Sequence, residues 1–122
     1  MNDNYATDDW IMELFGDWFD PCPLNPNPVK DGLNISWEDK TFVNPPYSNP
    51  LVWVDKAIEE NKKGKTIVIL LRMDTSTEWF KRLQEAKAKF LWINKRLKYN
   101  TGKPANFPSM LVILNKNQDL RS

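Results

Sequence analysis

The run Lys65-Thr66-Ile67-Val68-Ile69-Leu70-Leu71-Arg72 constrains the fold more than any other stretch of the chain. Ile67 to Leu71 are apolar without interruption, so neither face of a strand built from them can meet water. Such a strand belongs at the centre of a sheet that is covered on both sides.

The surrounding sequence supplies the cover. Thr7 caps a helix whose first turn holds Asp8 and Asp9, with Trp10, Ile11, Leu14 and Phe15 on one face and Gly16 as its stop. Asp17 to Asp20 read as a short strand ending in Pro21-Cys22-Pro23, and residues 21 to 36 are a loop rich in proline and asparagine. Phe42-Val43 is a second short buried strand. Asn49 and Pro50, a cap followed by a first-turn proline, open a helix carrying Trp53, Val54, Ala57 and Ile58 and running to Gly64. Thr75-Ser76-Thr77-Glu78 has capping-box spacing and starts a third helix through Trp79, Phe80, Leu83 and Ala86. "FLWIN" and "MLVILN" are the last two strands, separated by a basic loop. Alternating strands and helices predict an α/β fold with a parallel sheet and flanking helices, in a single domain over 1–122. Ligands of such sheets bind beyond the carboxyl ends of the strands. The loops Asp20-Pro21-Cys22 and Asn44-Pro45-Pro46-Tyr47 both follow strands and are expected on that same rim.

Composition narrows the chemistry. No apolar run approaches the roughly 20 residues that span a bilayer, and the acidic start MNDNYATDD is unlike a secretory signal, so a cytoplasmic protein is expected. One cysteine, Cys22, precludes an internal disulfide, and the absence of histidine removes the usual zinc sites and histidine-based triads. Residues 1–40 carry nine acidic side chains against Lys30 and Lys40, whereas residues 81–103 carry eight basic ones against Glu85. That separation suits an anionic partner such as nucleic acid, and it also suits two plain solvated faces.

The stretch "TFVNPPYS" is the most pointed motif. An exocyclic amine on a base is a poor nucleophile because its lone pair is delocalised into the ring. Two acceptors that bind both amine hydrogens favour a more tetrahedral nitrogen and release the lone pair toward an electrophile. Asn44 offers its side-chain carbonyl and Pro45 its backbone carbonyl, and the double proline with Pro46 keeps that path stiff. Acceptors fixed in advance act by preorganised electrostatics and need no titrating group. Tyr47 supplies a flat face for a base drawn out of its helix. The plainer alternative is a stiff loop with a packed tyrosine.

With these companions the chain resembles the DNA amino-methyltransferases that use S-adenosylmethionine and carry an (Asp/Asn/Ser)-Pro-Pro-(Tyr/Phe/Trp) motif, and more closely the small phage-type DNA adenine methyltransferases. "FDPCPLN", "DGLNISW", "FVNPPYSNPLVWVDKA", "GKTIVILLR", "TSTEWF" and "RLKYNTGKPANFPSMLVIL" stand in the order that group shows. The resemblance implies a minimal Rossmann-like methyltransferase sheet, located in host cytoplasm if phage-encoded. It implies S-adenosylmethionine as cofactor, DNA as partner, and methyl transfer to the N6 amine of adenine, with Asn44, Pro45, Pro46 and Tyr47 as the target-amine residues. By the same resemblance, Asp20, Pro21 and Cys22 approach the methionine part of the cofactor, Tyr5 and Thr7 close over it, and Asp31 with Leu33 borders its adenine. Lys95, Arg96, Lys98 and Lys103 are the implied phosphate contacts. No Gly-x-Gly stands in the first loop, which leaves Asp20 or Asp31 to serve the ribose. The chain has no room for a separate target-recognition domain, so low sequence selectivity, a homodimer or a partner subunit is expected.

Other readings stay open on sequence alone. The same pocket suits cytosine N4 or an RNA amine. The short cofactor half suits a non-catalytic nucleic-acid-binding or partner subunit, and an enzyme that breaks down the cofactor would need no basic surface. Cys22 also reads as a small buried hydrophobe, Asp31-Gly32-Leu33 as an ordinary turn, Thr7 as a helix cap only, and Trp53, Trp79 and Phe80 as core.

Overall fold

The computed structural model describes residues 9–23, 32–46, 48–93 and 108–115. In chain order the elements are α1 (Asp9–Phe15), β1 (Lys40–Val43), α2 (Pro50–Lys62), β2 (Thr66–Arg72), α3 (Glu78–Glu85), β3 (Lys89–Trp92) and β4 (Ser109–Leu114). The four strands form one sheet in the order β1-β2-β4-β3.

The sheet is mixed, which corrects the expectation of a parallel one. β1 and β2 are parallel, but β4 runs antiparallel to both β2 and β3. The last strand lies between β2 and β3 and so enters the sheet from the end at which β3 leaves it. β1, β2 and β3 still point the same way, and the start of β4 joins their carboxyl ends on one rim. Backbone bonds tie that rim together, with the Met73 N–H donating to the Pro108 carbonyl at 2.8 Å and the Ile93 N–H to the Ser109 carbonyl at 3.2 Å.

β2 is the central strand its composition demands, with Ile67 to Leu71 all buried. Its alternate side chains feed two cores. Ile67, Ile69 and Leu71 join Val43, Met110, Val112 and Leu114 under α2 and α3, through Val54, Ala57, Trp79, Phe80 and Leu83. Val68 and Leu70 join Phe42 and Leu111 under Ile11 of α1. Burial of a large apolar side chain contributes about 1.5–3 kcal/mol, so this sandwich dominates the stability of the fold.

Several local expectations hold and others shift. α1 stops at Gly16, whose N–H donates to the Met12 carbonyl at 2.7 Å, but Leu14 is exposed and does not share the buried face with Ile11. Asp17 to Asp20 form only an isolated parallel bridge, Phe19 to Thr41, held by Phe19 N–H to Lys40 carbonyl at 3.0 Å and Phe42 N–H to Phe19 carbonyl at 2.9 Å. α2 starts with Pro50 in its first turn, and Gly64 follows its end at φ +99°, a left-handed geometry natural to glycine. The capping box at Thr75 is not used. Asp74 takes both the N–H and the hydroxyl of Ser76, adding a turn, and Thr77 caps α3 by accepting the Phe80 N–H at 3.2 Å.

Candidate active site

The rim places the suspected loops together. Asp20-Pro21 leaves the Phe19 bridge, Asn44-Pro45-Pro46 leaves β1, and Arg72-Met73-Asp74 ends β2. Val43 pairs with Ile69, so Asn44 steps off the sheet beside the buried centre of β2.

The two prolines divide their work. Pro46 accepts the Asn49 N–H at 3.3 Å, which folds the chain back and delivers it to α2. Pro45 is buried, and among the described residues no donor is found on its carbonyl. Asn44 beside it is half-buried. A stiff turn thus leaves one backbone acceptor uncommitted next to a side-chain amide, the pair that recognition of an amine requires. Tyr47 lies outside the described residues.

The second loop is built around Asp20. Its carboxylate accepts the Cys22 N–H at 2.9 Å, closing a tight turn of two residues. Asp20 is open to water on one side and crowded by protein on the other. The crowding raises its carboxyl above the ordinary range, against the lowering effect of the Cys22 N–H. Burial first, and the Asp20 charge second, push the Cys22 thiol up to about 12. Cys22 is therefore a neutral thiol at physiological pH and a poor nucleophile. It packs against the α2/α3 core, as expected of a small hydrophobe.

Leu33 reaches the same neighbourhood through a contact that the sequence does not advertise. A Cβ on Gly32 would lie 1.9 Å from the Pro21 carbonyl oxygen, so the two backbones touch only because this residue is glycine. The Trp37 indole N–H donates to the Gly32 carbonyl at 2.8 Å and fixes it there. The Trp37 backbone N–H donates to Glu60 at 2.8 Å, and its ring stacks on Trp53 of α2 at 6.4 Å. Asp20, Pro21, Cys22 and Leu33 are thus brought together, with Trp37 as the strut behind them. Gly32→Ala is expected to force the loops apart and cost about 1–3 kcal/mol, as overpacking does. A thermal melt checks this, and a wild-type melting temperature would remove the contact from the account.

Glu60 is the anchor of that strut. It is fully buried at the end of α2 and pairs with Lys56 at 3.3 Å, Lys63 at 3.0 Å and Lys65 at 2.5 Å. Burial alone would raise its carboxyl. Lys65, the Trp37 N–H, Lys63 and Lys56 together outweigh it and bring the carboxyl down to about 2. Sequence reasoning missed Glu60, Trp37 and Gly32. The available signal was position, since Glu60 falls three residues after Ala57 on the buried side of α2, with Lys56 four residues before it and Lys63 three after it.

Tyr5, Thr7, Asp31, Lys95, Arg96, Lys98 and Lys103 all lie outside the described residues. A cavity of about 510 Å³ bordered by Asp17, Trp18, Phe19, Glu38, Asp39 and Lys40 sits at the opposite end of β1 from the Asn44 turn. It takes no part in the rim. Among the described residues no helix is long and apolar enough to cross a membrane, and no acidic or sulfur cluster has the makings of a metal site.

Fold and rim define a class: a small α/β domain, with three helices on a four-stranded mixed sheet among the described residues, that presents an amide-proline-proline turn at a strand end. The DNA N-6-adenine-methyltransferase (Dam) family matches residues 22–121, and the chain belongs to that family. It is an adenine-specific DNA methyltransferase, and of the alternatives left open by the sequence, membership selects adenine in DNA. Similar proteins include the DNA N-6-adenine-methyltransferase of Haemophilus phage HP1 (strain HP1c1), 31% identical over 91% of this chain and 78% of that protein. The DNA N-6-adenine-methyltransferase of Escherichia phage T1 is 41% identical over 46% of this chain and 24% of its own length.

Proposed function

We propose that this chain is a minimal, single-domain Rossmann-like methyltransferase that uses S-adenosylmethionine, with Asn44 and Pro45 as the acceptors that hold the adenine amine. The carrying observation is the Pro45 carbonyl beside Asn44, which has no donor among the described residues, in a turn where the Pro46 carbonyl is already engaged. Asn44 Oδ1 and the Pro45 carbonyl take one amine hydrogen each, and Tyr47 stacks the base drawn out of the duplex. Desolvation by the buried Pro45 strengthens both hydrogen bonds at the moment charge develops on nitrogen.

The Asp20 loop fits a cationic amino-acid ligand. Its carboxylate is exposed on the rim and already oriented by the Cys22 N–H, as suits an ammonium group. Asp20, Pro21, Cys22 and Leu33 would hold the cofactor, and Tyr5, Thr7 and Asp31 are the further candidates. When bound, the group supplies an electrophilic methyl. A thiol held protonated next to such an electrophile does not compete with the substrate amine, which gives the high pKa of Cys22 a purpose. Lys95, Arg96, Lys98 and Lys103 are proposed to contact phosphates, and the cytoplasm is the proposed location.

The test is transfer from methyl-labelled S-adenosylmethionine to mixed-sequence DNA, single- and double-stranded, followed by digestion and mass identification of the labelled nucleoside. Label on N6-methyladenine is expected. Label on cytosine, or none with the cofactor shown to bind, would overturn the assignment.

A further inference from the structure

Among the described residues Trp92 is the exposed aromatic side chain, 55% accessible at the last position of β3. It is nonetheless held. Phe90 and Trp92 alternate with Leu91 and so share one face of the strand. Their rings stack at 5.8 Å and 10°, and Phe90 in turn packs on Phe80 of α3 at 5.0 Å. Phe80 is buried and Phe90 lies against the core under α2 and α3, so the row of rings runs from core to solvent. With one face of the indole on Phe90, an accessibility above half requires that much of the other face is open.

The sheet places this ring on the same rim as the amine turn. β3 points the same way as β1 and β2, and Trp92 ends β3 as Val43 ends β1. The paired row Val43-Ile69-Val112-Phe90 crosses all four strands, and Leu71-Met110-Trp92 is the next same-facing row toward the rim. Three strand spacings, about 14 Å, separate the Phe90 end of the first row from its Val43 end. A single base held at Asn44 does not span that distance, so the Trp92 ring is left for a different base. Lys95 and Arg96, proposed above as phosphate contacts, follow Trp92 by three and four residues in sequence.

We infer that Trp92 is a stacking platform for a DNA base other than the target adenine. The inference rests on the proposed function above, which sets DNA across this rim, and adds a second base contact to that of Tyr47. Every base has a π-face, so a contact of this kind holds the strand without reading its sequence. The Phe90 ring fixes the indole beforehand, which lowers the entropy lost on binding. The competing occupant is a second copy of the chain paired along β3, an edge strand. A four-residue edge is far smaller than the about 20 residues a side of a stable interface, whereas one ring suffices for one base.

The experiment measures binding of the full chain to single- and double-stranded DNA across salt concentrations, with an abasic nucleotide placed at successive positions around an adenine that the chain methylates. Trp92→Ala should weaken binding about tenfold at an unchanged salt slope, because a stack is lost and no charge is. Cofactor affinity and the transfer rate at saturating DNA should match wild type, so the loss appears in KM and not in kcat. Trp92→Phe should retain most of the affinity. Trp92→Leu keeps an apolar cover on Phe90 without a flat face; it should behave as alanine does, and it replaces alanine if that variant does not fold. One non-target abasic position should weaken wild type several-fold and leave Trp92→Ala unaffected, which assigns the ring to that base. Wild-type affinity in a folded Trp92→Ala or Trp92→Leu would overturn the inference, as would abasic losses equal in wild type and variant at every position. A variant that keeps DNA affinity but loses a concentration-dependent dimer in sedimentation would give the ring to a second copy instead. If wild type binds and methylates DNA and the variants match it, only this inference fails. A wild-type chain that does not bind DNA overturns both.

Discussion

Asn44→Ala is expected to reduce methyl transfer by about a hundredfold to a thousandfold while cofactor affinity stays within about twofold of wild type. Loss of one preorganised acceptor at a developing charge typically has that effect. The separation between the two readouts follows from position. Asn44 leaves the end of β1, whereas the Asp20 turn and the Gly32 contact that would hold the cofactor belong to other segments. Asn44→Asp should retain more activity than alanine, because a carboxylate keeps an acceptor at the same reach. Single-turnover transfer with labelled donor, paired with a cofactor titration, makes the comparison. A fully active Asn44→Ala would remove the residue from the mechanism. Weakened cofactor binding with an unchanged single-turnover rate would assign it to the other half of the site.

Glu60→Gln should be the most destabilising conservative change among the described polar residues. The carboxyl lies at about 2 in the fold against an ordinary 4.5, a difference that corresponds to roughly 3 kcal/mol of linkage. Lysine stems close over the carboxylate, yet their charged ends are only partly covered, so solvent screening reduces this to about 2 kcal/mol. Because the folded value is depressed, the stabilisation is complete above about pH 4.5 and is lost as pH falls toward 2. Wild type should therefore lose stability through that acid window, and Glu60→Gln should start lower and change less across it. Melting curves from pH 7 down to pH 3 measure both effects, with a drop in Tm of roughly 5–10 °C for the variant at neutral pH. Parallel pH profiles for the two proteins would contradict the role given to Glu60. The change should also reach the site, since Glu60 holds the Trp37 N–H and Trp37 holds Gly32 against Pro21.

The sequence made the central strand, the three helices of the described residues and the stiff turn after β1 legible because each is written in neighbouring residues. Ile67 to Leu71 can only be buried, and a proline pair after Phe42-Val43 can only stiffen a strand end. Strand direction was not legible. The antiparallel insertion of β4 depends on where a long connection returns, and local pattern carries no information about that. The start of α3 was misplaced by two residues because Thr75 and Thr77 are equally good caps in isolation, and the Asp74–Ser76 turn decides between them. The structural roles of Gly32, Trp37 and Glu60 went unread for the same reason. Their roles consist of contacts across 23 residues of sequence or between loops, and a glutamate among lysines at a helix end looks like solvated surface.

The proposed function turns on the two acceptors of the Asn44 turn, and the most direct test is a ternary structure. The chain would be crystallised with adenine-containing DNA and a cofactor analogue that lacks a transferable methyl group. The expected result has the adenine out of the duplex, with its N6 within about 3 Å of both Asn44 Oδ1 and the Pro45 carbonyl. An adenine amine directed at any other pair of acceptors, with the Pro45 carbonyl left empty, would contradict the account.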